Sequence, residues 1–122
     1  MKSKILIVDD SRVSRMMIRG LFTTLCPEWD IIEAATGDEA VALAASARPD
    51  FITMDINMPG MNGFDAVQLI QRSHPTIRIA VLTANIQESS REKAQKLAVK
   101  FVQKPATPGA IQQTVDYFRA PL

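Results

Sequence analysis

The chain has one cysteine, one tryptophan, one tyrosine and one histidine among 122 residues. A lone Cys26 cannot close an internal disulfide, so a disulfide scaffold is not available. Cys26 lies among apolar residues, where a thiol packs as a small hydrophobe. Charge of one sign is also missing: 14 Lys and Arg face 13 Asp and Glu, for a net charge of +1. Nothing in that balance calls for nucleic acid or a membrane surface. Long apolar runs are absent as well. The run Ile5–Val8 behind Lys2 and Lys4 is far too short for a signal-peptide core or a membrane span, so a cytoplasmic location is expected.

What is present is alternation. Five short runs rich in Ile, Val, Leu, Phe and Met read as strands: Lys4–Val8, Asp30–Ala34, Asp50–Met54, Ile77–Leu82 and Val99–Val102. Between and after them apolar residues fall at helical spacing, as in Ala40, Val41, Leu43, Ala44 and Ala47, and again in Ile111, Thr114, Val115 and Phe118. The first, third and fourth runs are almost continuously apolar, which is the pattern of strands covered on both faces. An α/β fold follows, a parallel sheet between two helical layers, in one domain over residues 1–122. Thr107 before Pro108 marks the start of the last helix, because a proline at the first helical position leaves no N–H unpaired. The helix expected between Ile86 and Ala98 has little besides Ala94, Leu97 and Ala98 to bury and should be loosely held.

In such a sheet all strands point their C-terminal ends to one edge, and ligands bind there, where the strand order reverses. Asp9 and Asp10 follow the first run, Asp55 the third, Thr83 the fourth and Lys104 the fifth. Singly, each is an ordinary cap or turn residue. Together they bring three carboxylates, a hydroxyl and an amine to one edge. Three close carboxylates repel and raise at least one pKa unless a cation intervenes, and an oxygen-rich site of this kind suits Mg²⁺. A carboxylate beside such a metal can act as a nucleophile toward phosphorus, with a nearby ammonium neutralising the charge that develops.

Four segments in order resemble the response-regulator receiver domains of two-component systems: Ile5-Leu6-Ile7-Val8-Asp9-Asp10-Ser11, Asp55-Ile56-Asn57-Met58-Pro59-Gly60-Met61-Asn62-Gly63, Val81-Leu82-Thr83-Ala84, and Lys104-Pro105. The likeness runs the full length, in the single-domain, CheY-like form. It implies a flavodoxin-like, doubly wound sheet of order 2-1-3-4-5 with five helices. It also implies that Asp55 is the phosphoacceptor, that Asp10 is a direct Mg²⁺ ligand, that Asp9 acts mainly through metal-bound water, and that Asn57 contributes its backbone carbonyl. Thr83 resembles the switch hydroxyl, Lys104 the amine that contacts the phosphoryl group, Phe101 the switch aromatic, and Pro105 a proline after a cis bond, a geometry all but confined to prolines. Asn57 and Asn85 stand at the positions that tune phosphoryl lifetime.

The resemblance implies a histidine kinase or phosphotransfer protein as donor and a downstream protein as target, in chemotaxis or another phosphorelay. A monomer or weak dimer is expected, with no nucleic acid, no membrane, and no enzymatic activity beyond phosphoryl uptake and hydrolysis. The segment from Ile86 to Phe101 and the last helix are the expected output face. Arg12, Arg15 and Arg19 fall near one face of the first helix, either simply solvated or docking the donor. One departure is Leu97-Ala98, where the family commonly has Gly-Ala; the missing glycine should alter the turn into the fifth strand. Two rivals remain: a receiver that binds constitutively without cycling phosphate, and a flavin carrier on the same fold. Against the second, Asp9-Asp10-Ser11-Arg12 lacks a glycine-rich phosphate cradle.

Overall fold

A computed structural model describes residues 2–84 and 87–121. Ten elements alternate: β1 (Lys4–Val8), α1 (Arg12–Leu25), β2 (Asp30–Ala34), α2 (Gly37–Ser46), β3 (Phe51–Met54), α3 (Gly63–Ser73), β4 (Arg78–Thr83), α4 (Glu88–Lys96), β5 (Lys100–Gln103) and α5 (Pro108–Arg119). The strands form one parallel sheet in the order β2-β1-β3-β4-β5, as the resemblance implied. Strands three to five begin one residue later than their apolar runs, because the ladder pairs Phe51 with Arg78 and Ala80 with Lys100.

Alternation along the strands feeds two cores. Leu6, Val8, Ile52, Met54, Ile79 and Val81 face α2, α3 and the Ala94 side of α4. Ile5, Ile7, Ala80, Leu82 and Val102 face α1 and α5, where Ile18, Phe22, Ile111, Val115 and Phe118 cover them. Strands wetted by neither layer can be apolar on both faces, which is why β1 is buried from Ile5 through Val8. Cys26 lies fully inside this second core, and burial pushes its thiol pKa up, so it serves packing rather than chemistry.

The helix starts are set by side-chain caps. Ser11, Thr36, Asn62 and Thr107 accept hydrogen bonds from the N–H groups of Ser14, Glu39, Phe64 and Ala110, and Pro108 opens α5. Helix α4 buries only Ser90 and Ala94, in keeping with its polar sequence. The turn that follows it does contain a left-handed residue, but Ala98 adopts it (φ 57°), while Leu97, at the position where the family has glycine, stays right-handed. Among the described residues no helix is long and apolar enough to cross a membrane.

Candidate functional site

Each strand end is extended by one further ladder bond that fixes the residue beyond it. Asp9 N–H donates to Ala34 O (3.1 Å), Asp55 N–H to Val8 O (2.9 Å) and Lys104 N–H to Thr83 O (2.8 Å). The sheet backbone therefore holds all three residues at one edge. One carboxylate oxygen from each of Asp9, Asp10 and Asp55 lies within 4.8 Å of the others. Asp9 is buried, Asp55 is 8% exposed, and Asp10 is open to solvent.

Lys104 is the cation of this cluster. Its ammonium is 2.5 Å from Asp9 Oδ2 and 3.7 Å from Asp55 Oδ2. The Asp55 carboxyl is pushed up to about 6, first by burial and then by the charges of Asp9 and Asp10; Lys104 and the Asn57 backbone N–H pull it back only in part. The site is thus short of positive charge. An all-oxygen donor set with that deficit fits a hard divalent cation, and Asp9 shows how it would share one: its Oδ1 accepts the Ser11 N–H and its Oδ2 accepts Ser14 and Lys104, leaving little free for direct ligation.

Thr83, fully buried, ends β4 level with Gln103 and at the same edge as Asp55. Phe101 sits on β5 beside Val81, half-buried, with the Arg91 guanidinium 4.8 Å from its ring centroid. The Lys104–Pro105 bond is cis. Asn57 is exposed on the loop after β3; Asn85 and Ile86 lie outside the described residues.

The contacts of several residues around the site were not legible in the sequence. Ser14 bonds both Asp9 and Lys104. Gly63 opens α3 with its N–H on Ile56 O (3.0 Å), directly against the backbone of Asp55. Arg15 donates to the backbone oxygen of Asp9 (2.7 Å) and pairs with Glu33, as does Arg19. Two of the three helix-α1 arginines thus brace the sheet edge rather than stand as a free basic face. The exposed apolar residues of α1 are Val13, Met16 and Met17.

Comparison with known proteins agrees with this geometry. A family model described as the response regulator receiver domain matches residues 5–116. The chain is 36% identical over 118 residues to the chemotaxis protein CheY of Thermotoga maritima, covering 95% of this chain and 97% of that one. It is 40% identical over 106 residues to the protein-glutamate methylesterase/protein-glutamine glutaminase of Archaeoglobus fulgidus, but there the match covers 84% of this chain and only 30% of that protein. Among solved structures, the chemotaxis protein CheY4 of Vibrio cholerae superposes with a TM-score of 0.86 at 28% identity, covering 97% of this chain and 99% of that one. A chain of the CheX–CheY–BeF3–Mg²⁺ complex of Borrelia burgdorferi gives 0.89 at 27% identity, with 98% and 90% covered.

Proposed function

The chain belongs to the response regulator receiver domain family, and from that premise we propose that it is a cytoplasmic two-component switch whose Asp55 accepts a phosphoryl group from a phosphohistidine. The observation that carries this reading is the Asp55 carboxylate itself, nearly buried, with Asp9 and Asp10 oxygens within 4.8 Å and the Lys104 ammonium at 3.7 Å.

In the transfer, the P–N bond of the donor breaks as a P–O bond forms to an Asp55 carboxylate oxygen, and the imidazole nitrogen takes up a proton from solvent. No general base is required, because the acceptor is already ionised at neutral pH; positioning and charge neutralisation carry the barrier. Asp10, Asp55 and the Asn57 carbonyl would hold Mg²⁺ directly and Asp9 through water, and the bound ion supplies charge neutralisation at the phosphoryl oxygens. Lys104 turns from Asp9 toward the new phosphoryl group, and Thr83 donates its hydroxyl to another oxygen. Hydrolysis by an in-line water resets the switch.

Phosphorylation adds about −1.5 to −2 charges at this edge. Drawing Thr83 inward makes room for Phe101, and the loosely packed α4, with β5 and α5, is the surface that changes for a downstream protein. Taking such an equilibrium from 1:99 to 99:1 needs about 5.5 kcal/mol of differential stabilisation. Intact-mass analysis after incubation with acetyl phosphate and Mg²⁺ tests the reading. A labile adduct of about 80 mass units is expected in wild type with metal, and none in Asp55→Asn. Folded wild type without an adduct would overturn it and favour constitutive binding.

A further inference from the structure

Among the described residues the Lys104 ammonium has two close partners, and neither is Asp55. Asp9 Oδ2 accepts from it at 2.5 Å and Ser14 Oγ at 3.1 Å, while Asp55 Oδ2 stands at 3.7 Å. Ser14 in turn donates its own proton to Asp9 Oδ2 at 2.6 Å. A serine hydroxyl has one donor and two acceptor positions. Ser14 commits its donor to the aspartate and an acceptor to the lysine, which closes a ring of three hydrogen bonds.

The ring is anchored from both sides. Ser14 occupies the third position of α1, where its backbone N–H is held by the Ser11 side chain. Lys104 arrives from the far end of the chain, its backbone fixed to Thr83. A lysine ammonium is a point charge on a flexible four-carbon stem, so one carboxylate contact sets its distance and leaves its direction loose. A second acceptor at a fixed helix position removes that freedom. It also leaves one of the three ammonium N–H groups for an oxygen on the Asp55 side.

We propose that Ser14 is a positioning residue for phosphoryl transfer, its hydroxyl orienting the Lys104 ammonium between Asp9 and Asp55. The inference rests on reading Lys104 as the amine that meets the phosphoryl group. Ser14 touches no reacting atom and acts only through its two partners.

The test follows the lysine directly. In protein labelled with ¹⁵N-lysine, the Lys104 Nζ cross-peak, assigned by its loss in Lys104→Gln, reports how fast the ammonium protons exchange with water. Ser14→Ala, and Ser14→Cys as a near-isosteric but poor acceptor, should speed that exchange by about tenfold, the loss of one hydrogen bond to a charged group. Ser14→Thr, which keeps the hydroxyl, should stay near wild type. Phosphoryl uptake from acetyl phosphate should fall by a similar factor in the alanine and cysteine variants and recover in threonine. In a Lys104→Gln background, Ser14→Ala should change the residual rate less than twofold. Unchanged exchange in Ser14→Ala, threonine behaving as alanine, or an undiminished effect in the Lys104→Gln background would each overturn the proposal. If wild type takes up no phosphoryl group the function proposed above fails, and the exchange measurement still decides whether Ser14 holds the lysine.

Discussion

A Cβ added at Gly63 would stand 2.1 Å from the carbonyl oxygen of Asp55 and 2.8 Å from the Cα of Ile56. Both are backbone atoms, so no rotamer change relieves the overlap; either α3 or the Asp55 loop must move. Gly63→Ala is expected to lower stability by about 2 kcal/mol or more, read from urea midpoints. Uptake of the phosphoryl group at Asp55 should fall in the same variant under conditions where it is still fully folded. A folded Gly63→Ala protein with wild-type midpoint and uptake would show that the loop has slack.

Asp55 should leave a signature in the pH dependence of stability of metal-free protein. Its folded value is about 6 against an ordinary 3.8. Between those values the folded state binds a proton that the unfolded chain has lost, so stability declines as pH rises through this window and stays lower above it. Asp55→Asn removes the ionisation and should exceed wild type by on the order of 2 kcal/mol near neutral pH, with the gap closing near pH 4. Urea unfolding in chelator at the two pH values measures it. An equal gap at both would mean that ionisation of Asp55 costs the fold nothing. Added Mg²⁺ should shrink the neutral-pH gap by favouring the ionised carboxylate.

Two positions before Asp55, the Thr53 hydroxyl is buried on β3 between Ile7 and Ala80, without a hydrogen-bond partner among the described residues. A buried hydroxyl that gave up water for nothing costs stability. Thr53→Val preserves the shape and should raise stability by about 1 kcal/mol. A lower thermal midpoint in the valine variant would indicate that the hydroxyl has a partner, such as an internal water.

Ala98 carries the left-handed conformation that ends α4. A side chain there meets the following carbonyl, and glycine does not. Ala98→Gly should stabilise the protein by a few tenths to about 1 kcal/mol, the relief of strain being partly offset by a more flexible unfolded chain. Denaturant unfolding decides the sign, and a loss of stability would mean that the alanine methyl packs more favourably than its backbone is strained.

Much of this molecule could be read from local pattern. Nearly continuous apolar runs marked β1, β3 and β4 because both faces of the sheet are covered there, and Thr107-Pro108 marked a helix start because capping depends on adjacent residues alone. The acidic residues and Lys104 were visible as a site because a parallel sheet sends every strand end to one edge. Strand order came from the resemblance, since the runs themselves carry no record of which neighbours they pair with.

The arrangement within the site was decided only in three dimensions. Asp9 and Lys104 are 95 positions apart, and nothing in their sequence neighbourhoods says that the ammonium rests on Asp9 and Ser14 instead of Asp55. Likewise Arg15 and Arg19 read as a basic helix face until Glu33, on the neighbouring strand, pairs with both. Residue types determined which chemistry this edge can support, because charge and hydrogen-bonding capacity belong to the side chain. The distances that choose between hydrogen-bond partners, 2.5 Å to Asp9 and 3.1 Å to Ser14 against 3.7 Å to Asp55, belong to the way α1 and the end of β5 meet at the sheet edge.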